Sequence, residues 1–270
     1  MMSSSPAAAP VKSEVPMSSR PFRLAALAAS MVVAPGLFGS AHAQQIPAPG
    51  DDLVVTLGGG GRIAPDWDGS KTYLLSPMPI VGVKFLRSPF TGEPSSDTGF
   101  GIAPSFRLLS KRSFGATSPL AGLPDVATAF EAGLTVDYTD TNFRAFATVR
   151  QGMGGHHGQI AELGVDAILH PMEKLTLSAG PRVSFASAEY MRTYWGVSAA
   201  TAAATGVAAY DPGAGYRGAG LGATATYDID PRWFVKAEAG WTHLSDAAAR
   251  SPVIKAEGAR DQFSVGLGVA

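Results

Sequence analysis

The segment Trp233–Thr242 restricts this chain most, because its residues alternate one by one between two kinds of surface. Trp233, Val235, Ala237, Ala239 and Trp241 fall on one face of an extended strand, and Lys236, Glu238, Gly240 and Thr242 fall on the other. The final segment, Asp261–Ala270, sets Phe263, Val265, Leu267 and Val269 against Ser264, Gly266 and Gly268 in the same way. A strand with one fatty face and one polar or empty face suits a wall between lipid and a watery lumen. That is the arrangement of a transmembrane β-barrel.

The alternation recurs along the chain. Strands are expected over Leu53–Gly60, 71–85, Phe100–Leu109, Val126–Tyr138, 143–150, 159–169, 174–185, Tyr216–Ile229, 232–243 and 261–270. Ten strands is an even number, as bacterial single-chain barrels require, so the fold class read here is an all-β antiparallel transmembrane β-barrel. Pro77 and Pro79 mark bends or bulges in the second strand, and Gly58–Gly61 reads as a bend ending the first. That glycine run lacks the Gly-Lys-Ser/Thr of a phosphate-binding loop. If the first strand leaves the periplasm, the inner connections are 86–99, 139–141, 170–173 and 228–231. The outer ones are 61–70, 110–125, 151–158, 186–215 and 245–260. Short turns inside and long loops outside are the barrel rule, and only 86–99 departs from it.

The N-terminus speaks for export. Arg20 and Arg23 precede the apolar run Leu24–Phe38, and Ala41-His-Ala43 supplies a small-x-small cleavage site. Residues 1–43 are therefore expected to be a secretory signal, with Met17 as an alternative start of translation, and 44–270 the barrel. Past residue 45 no apolar run reaches ~20 residues, so no helix there spans a bilayer and strands must do so. A net charge of -1 gives no footprint for nucleic acid, and the lack of cysteine excludes disulfides and thiolate metal sites. The expected location is the outer membrane of a Gram-negative bacterium, with outer-membrane lipid against the apolar face.

The inward faces carry Glu131, Asp137, Arg144, Arg150, Glu162, Asp166, Lys174, Arg182, Lys236 and Glu238, which a lumen can interleave as ion pairs. A soluble sandwich would turn them to water and keep an alanine-rich interior, poor material for a core. Trp233 and Trp241, eight residues apart, stand about 26 Å apart along a strand, close to the height between two aromatic girdles. In the Arg150–Gly158 loop, Gly152, Gly154, Gly155 and Gly158 permit a tight fold over the lumen, with Arg150 held by Glu162 or Asp166. His156 and His157 are adjacent and point apart, which favours a loop anchor over a metal site. His243 and Ser245 lie on one strand face and invite a hydrolase reading, against which stands a girdle histidine followed by a loop. Residues 198–209 favour a short helix in the longest outer loop. The flanking Tyr190, Tyr194, Trp195 and Tyr210 either form an exposed contact surface or cover the mouth.

Five ordered stretches resemble the MipA/OmpV family of outer-membrane proteins: Trp67–Tyr73, Arg150–Gly158, Tyr190–Val197, Leu244–Val253 and Gln262–Gly268. The resemblance spans residues 51–270. It implies a non-catalytic barrel, with no catalytic, metal or cofactor-binding residues to carry over. It also implies a scaffold between a murein-degrading lytic transglycosylase and a murein synthase, while other members look like adhesins or affect drug and osmotic responses. A small-solute channel is a further reading, and a lipid A hydrolase a remote one. Such proteins usually end in an aromatic residue, whereas this chain ends Val269-Ala270, which implies either a shortened end or a weakened assembly signal.

Overall fold

A computed structural model describes residues 53–85 and 98–270. The expected signal at 1–43 and nearly all of the 86–99 connection lie outside these. Ten antiparallel strands form one sheet: β1 (Leu53–Pro65), β2 (Tyr73–Phe85), β3 (Gly99–Leu109), β4 (Ala129–Thr139), β5 (Phe143–Gly154), β6 (Gln159–Met172), β7 (Leu175–Ala186), β8 (Gly215–Asp230), β9 (Trp233–Leu244) and β10 (Asp261–Val269). Neighbours pair in the order β2-β1-β10-β9-β8-β7-β6-β5-β4-β3, so the last strand meets the first and the sheet curls into a barrel wall.

The pleat sorts the side chains as the alternation demands. Phe100 and Leu75, 86% and 68% exposed, belong to an outward belt with Leu57, Leu134, Val149, Leu163, Leu221, Val265 and Leu267. Left in water this much apolar surface would drive association, and lipid is the solvent that removes the penalty. Among the described residues no helix is long and apolar enough to cross a membrane.

Short turns join the strands at one end: 140–142, 173–174 and 231–232. At the other end stand the long connections 66–72, 110–128, 187–214 and 245–260, together with 155–158, which is only four residues because β5 and β6 extend into the expected 151–158 loop. Parity agrees with the sequence reading, and so does length at every described connection but this one. In place of one helix in the longest loop there are two, α1 (Ala188–Trp195) and α2 (Ala199–Thr205), followed in the last loop by α3 (Asp246–Arg250) and α4 (Pro252–Glu257). Serine side chains start α1, α2 and α4: Ser187 accepts from the Tyr190 amide, Ser198 from Thr201 and Ser251 from Val253.

Two expectations about backbone are corrected. Gly58–Gly61 does not bend the chain; it sits inside β1, paired on one side to β2 and on the other to β10. A Cβ on Gly60 would collide with the carbonyl oxygen of Leu267, and one on Gly180 in β7 with that of Val165. Glycine there lets neighbouring strands approach while the wall turns. Pro77 and Pro79 mark no bulge either, because β2 pairs with β1 without a shift from Tyr73 to Phe85. A proline cannot donate into that ladder, so both ring nitrogens face the other edge of β2. Pro104 does the same on β3, opposite Leu134 of β4. These are the two end strands of the sheet. They come within 8 Å between Cα atoms, yet no ladder joins them among the described residues.

Candidate functional site in the lumen and its cap

Period-two patterning sends ionisable side chains inward, and strand register decides who meets whom. Glu131 on β4, fully buried, lies directly opposite Arg107 on β3 and receives two hydrogen bonds from it at 2.8 and 2.7 Å. Arg150 on β5 donates to the same carboxylate at 3.2 Å and to Ser105 at 3.0 Å. Glu162 is 4.0 Å from Arg150. The expected hold on Arg150 is thus met in part: Glu162 stands at ion-pair distance, Glu131 supplies the hydrogen bond that the sequence reading missed, and Asp166 does not take part because Arg182 engages it at 2.7 Å. Arg144 pairs with Asp137 at 3.2 Å and Lys236 with Glu238 at 2.7 Å. Arg144 and Arg182 both lie over the Phe146 ring, 5.2 and 4.7 Å from its centre. Lys174 does not join them. It sits at the β6–β7 turn, exposed, and donates to the Ile229 carbonyl at 3.0 Å, because the strand has ended there.

Three lumen residues escaped the sequence reading. Arg107 had the signal, since it falls at an inward position of an expected strand. Arg217 had none: a bulge between Ser184 and Phe185 of β7 leaves it unpaired on β8 and turns its side chain inward. There its guanidinium bonds both carboxylate oxygens of Asp68, which comes from the loop after β1. Arg62 on β1 also points inward and donates to Ser264 at 3.1 Å. Together these walls enclose a cavity of about 610 Å³.

Over this cavity the loops form an apolar cap. Tyr190, Tyr194 and Trp195 of α1 are wholly buried among Trp67, Leu120, Leu123, Val126, Leu244, Val253 and Ile254. The choice left open for the loop aromatics is thus decided for these three: they cover the mouth, and are no exposed contact surface. Trp195 donates its indole N–H to the Asp68 carbonyl at 3.0 Å, and Ser251 donates to the Trp195 carbonyl at 2.6 Å. Arg112, buried, donates to the carbonyls of Thr193 and Tyr194 at 3.0 and 2.7 Å, completing the C-terminal end of α1. Burial lowers its guanidinium to about 10. Burial, and next the Asp68 charge, raises the Tyr190 phenol, and burial raises that of Tyr194 as well.

The glycine loop anchors to that cap. His156 is buried, with Nε2 3.3 Å from Glu131 and its ring edge-on to Tyr190 and Tyr194 at 4.9 and 5.5 Å. His157 points away to the surface, and its carbonyl accepts from Gln151. A Cβ on Gly155 would strike the Ala127 carbonyl, one on Gly152 the His156 ring, and one on Gly158 the Tyr190 amide. Gly154 adopts φ +88°, a left-handed conformation. Elsewhere, the His243 ring contacts Asp261 at 2.9 Å, whereas Ser245 Oγ is buried without a hydrogen-bond partner. No hydrogen bond joins His243 to Ser245. Trp233 and Trp241 lie at opposite ends of β9 on its outward face, and Trp241 donates to Asp261 at 2.9 Å.

The profile of one family, described as MltA-interacting protein MipA, matches residues 57–270. The chain belongs to the MipA family. No curated protein matches it. Solved structures similar to this MipA-family chain include a NanC porin, at 10% identity over 80% of this chain and 98% of that one with a TM-score of 0.38. Another is the outer-membrane OmpT of Vibrio cholerae, at 12% identity over 82% of this chain and 98% of that one with a TM-score of 0.30.

Proposed function

We propose that this outer-membrane barrel is a non-catalytic envelope scaffold that docks a murein-degrading lytic transglycosylase, with a murein synthase as the second client. MltA, the partner in the family's description, is such a transglycosylase. The observation that carries the reading is the buried aromatic cap at the loop end of the barrel. It closes the face that barrel topology assigns to the exterior, which disfavours free passage of solutes and leaves the turn end as the working side. The location proposed with it is the outer membrane of a Gram-negative cell, reached through the signal at residues 1–43. Docking then involves residues at the turn end, the connection after β2 and the segment leading into β1.

Crosslinking in intact envelopes followed by affinity capture of this chain tests the proposal. Recovery of a lytic transglycosylase supports it. Recovery of external ligands alone, or steady ion conductance by the intact barrel in a planar bilayer, counts against it.

A further inference from the structure

The lumen charges are nearly, but not wholly, matched. Arg107, Arg144, Arg150, Arg182, Arg217 and Lys236 each have a carboxylate within 4.0 Å. Arg62 has none among the described residues; its partner is the Ser264 hydroxyl at 3.1 Å. A guanidinium carries five N–H donors in a fixed fork shaped to meet an oxyanion, and Arg62 lines the cavity with most of its donors unspent. Glu238 and Glu162 are carboxylates that face the same cavity; Lys236 already holds Glu238 at 2.7 Å, and Glu162 stands 4.0 Å from Arg150. The surroundings of Arg62 are hydroxylated. Ser264, Thr242, Thr224, Ser178 and Ser76 line the same cavity from β10, β9, β8, β7 and β2. Thr224 and Ser178 are direct cross-strand partners, and Ser76 is opposite Arg62 itself.

We propose that the lumen is a binding site for a small polyhydroxylated carboxylate, with Arg62 receiving the carboxylate and the serine and threonine hydroxyls the body of the ligand. A cavity of about 610 Å³ is within the range of ordinary small-molecule sites. The matched ion pairs hold the wall in shape and the single unmatched cation selects the charge of the guest, since an unpaired positive charge in a confined cavity concentrates anions. The assignment is independent of the docking reading: a scaffold can hold a ligand, and a ligand site can exist without a docked enzyme.

Isothermal titration of the full chain in detergent micelles tests it, with D-glucuronate, glucose, acetate and inorganic phosphate as probes. Glucuronate is expected to bind at least tenfold more tightly than the others. Arg62→Gln is expected to lose at least tenfold of that affinity, Arg62→Lys to keep part of it, and Ser264→Ala to weaken it severalfold. Heat-modifiable gel mobility and circular dichroism verify that each variant is folded. Should Arg62→Gln fail to fold, the Arg62→Lys and Ser264→Ala titrations decide the matter. Glucose binding as tightly as glucuronate, or unchanged affinity in the folded variants, overturns the role of Arg62. Phosphate or acetate binding as tightly as glucuronate overturns the polyhydroxylated class, and absence of binding by any probe overturns the site.

Discussion

Asp68 and Arg217 are separated by 149 residues, yet the Arg217 guanidinium donates to both oxygens of the Asp68 carboxylate, one of them at 3.2 Å. Both side chains are buried, so this pair ties the loop after β1 to the bulge on β8 beneath the cap. Asp68→Asn leaves a buried guanidinium without its charge partner, and a loss of about 3–5 kcal/mol is expected. Arg217→Met alone should be costly too, while the double variant should lose clearly less than the two single losses combined. Denaturant unfolding in micelles, read as a double-mutant cycle, gives the coupling.

Glu131 makes a graded test. Its carboxylate is shared by Arg107, Arg150 and His156, whereas Asp166 serves Arg182. Glu131→Gln is therefore expected to lower the unfolding midpoint more than Asp166→Asn, by about 1–3 kcal/mol of additional destabilisation. Equal effects would show that the buried cluster is no more than a set of separate pairs.

Alkali should loosen the cap. Burial raises the phenols of Tyr190 and Tyr194 above the ordinary value of 10.0 in the folded protein. An acid whose folded value is raised gives stability that is complete below its unfolded value, and the unfolded chain binds fewer protons once pH passes about 10. Stability from these two groups is thus present below pH 10 and falls as pH rises beyond it. Arg112, lowered to about 10 by burial, works in the opposite direction in the same range, as one group against two. Following Trp195 fluorescence from pH 9 to 12 should show cap opening in the parent chain. Tyr194→Phe, which loses no hydrogen bond, should move that opening to higher pH.

The glycine loop should be intolerant. In Gly155→Ala the new methyl meets the Ala127 carbonyl, a backbone atom that cannot rotate aside. About 1–3 kcal/mol of destabilisation is expected. Limited proteolysis should show cleavage in 151–158 before any elsewhere in the loops.

Proline controls the unladdered junction. Pro77→Val with Pro79→Val restores two N–H donors to the edge of β2 that faces β3. Each hydrogen bond gained should add about 0.5–1.5 kcal/mol. Amide exchange at residues 77 and 79 is the measurement. Rapid exchange at both would mean that the two edges do not meet there.

Strand positions and faces were legible because a side-chain period of two is written directly into the order of residues such as Phe143, Arg144, Ala145 and Phe146. Partners were less legible. That Arg150 meets Glu131 depends on relative strand stagger and on which residue claims Asp166, and neither is a local property. The bulge beside Arg217 shifts the phase by one residue without leaving a mark in composition, and Asp68 reaches the lumen from a loop. Gly58–Gly61 was misjudged because propensity describes a glycine's own backbone and omits how close the next strand must come.

Gly60 and Gly180 occupy places where any side-chain atom would overlap a neighbouring carbonyl, whereas the lipid-facing Leu57, Leu75 and Leu267 meet only solvent chains. Mutational freedom is consequently laid out by geometry. Bilayer-facing positions can drift among apolar residues over evolutionary time. The bare-backbone positions admit no substitute unless the adjoining strand is rebuilt at the same step.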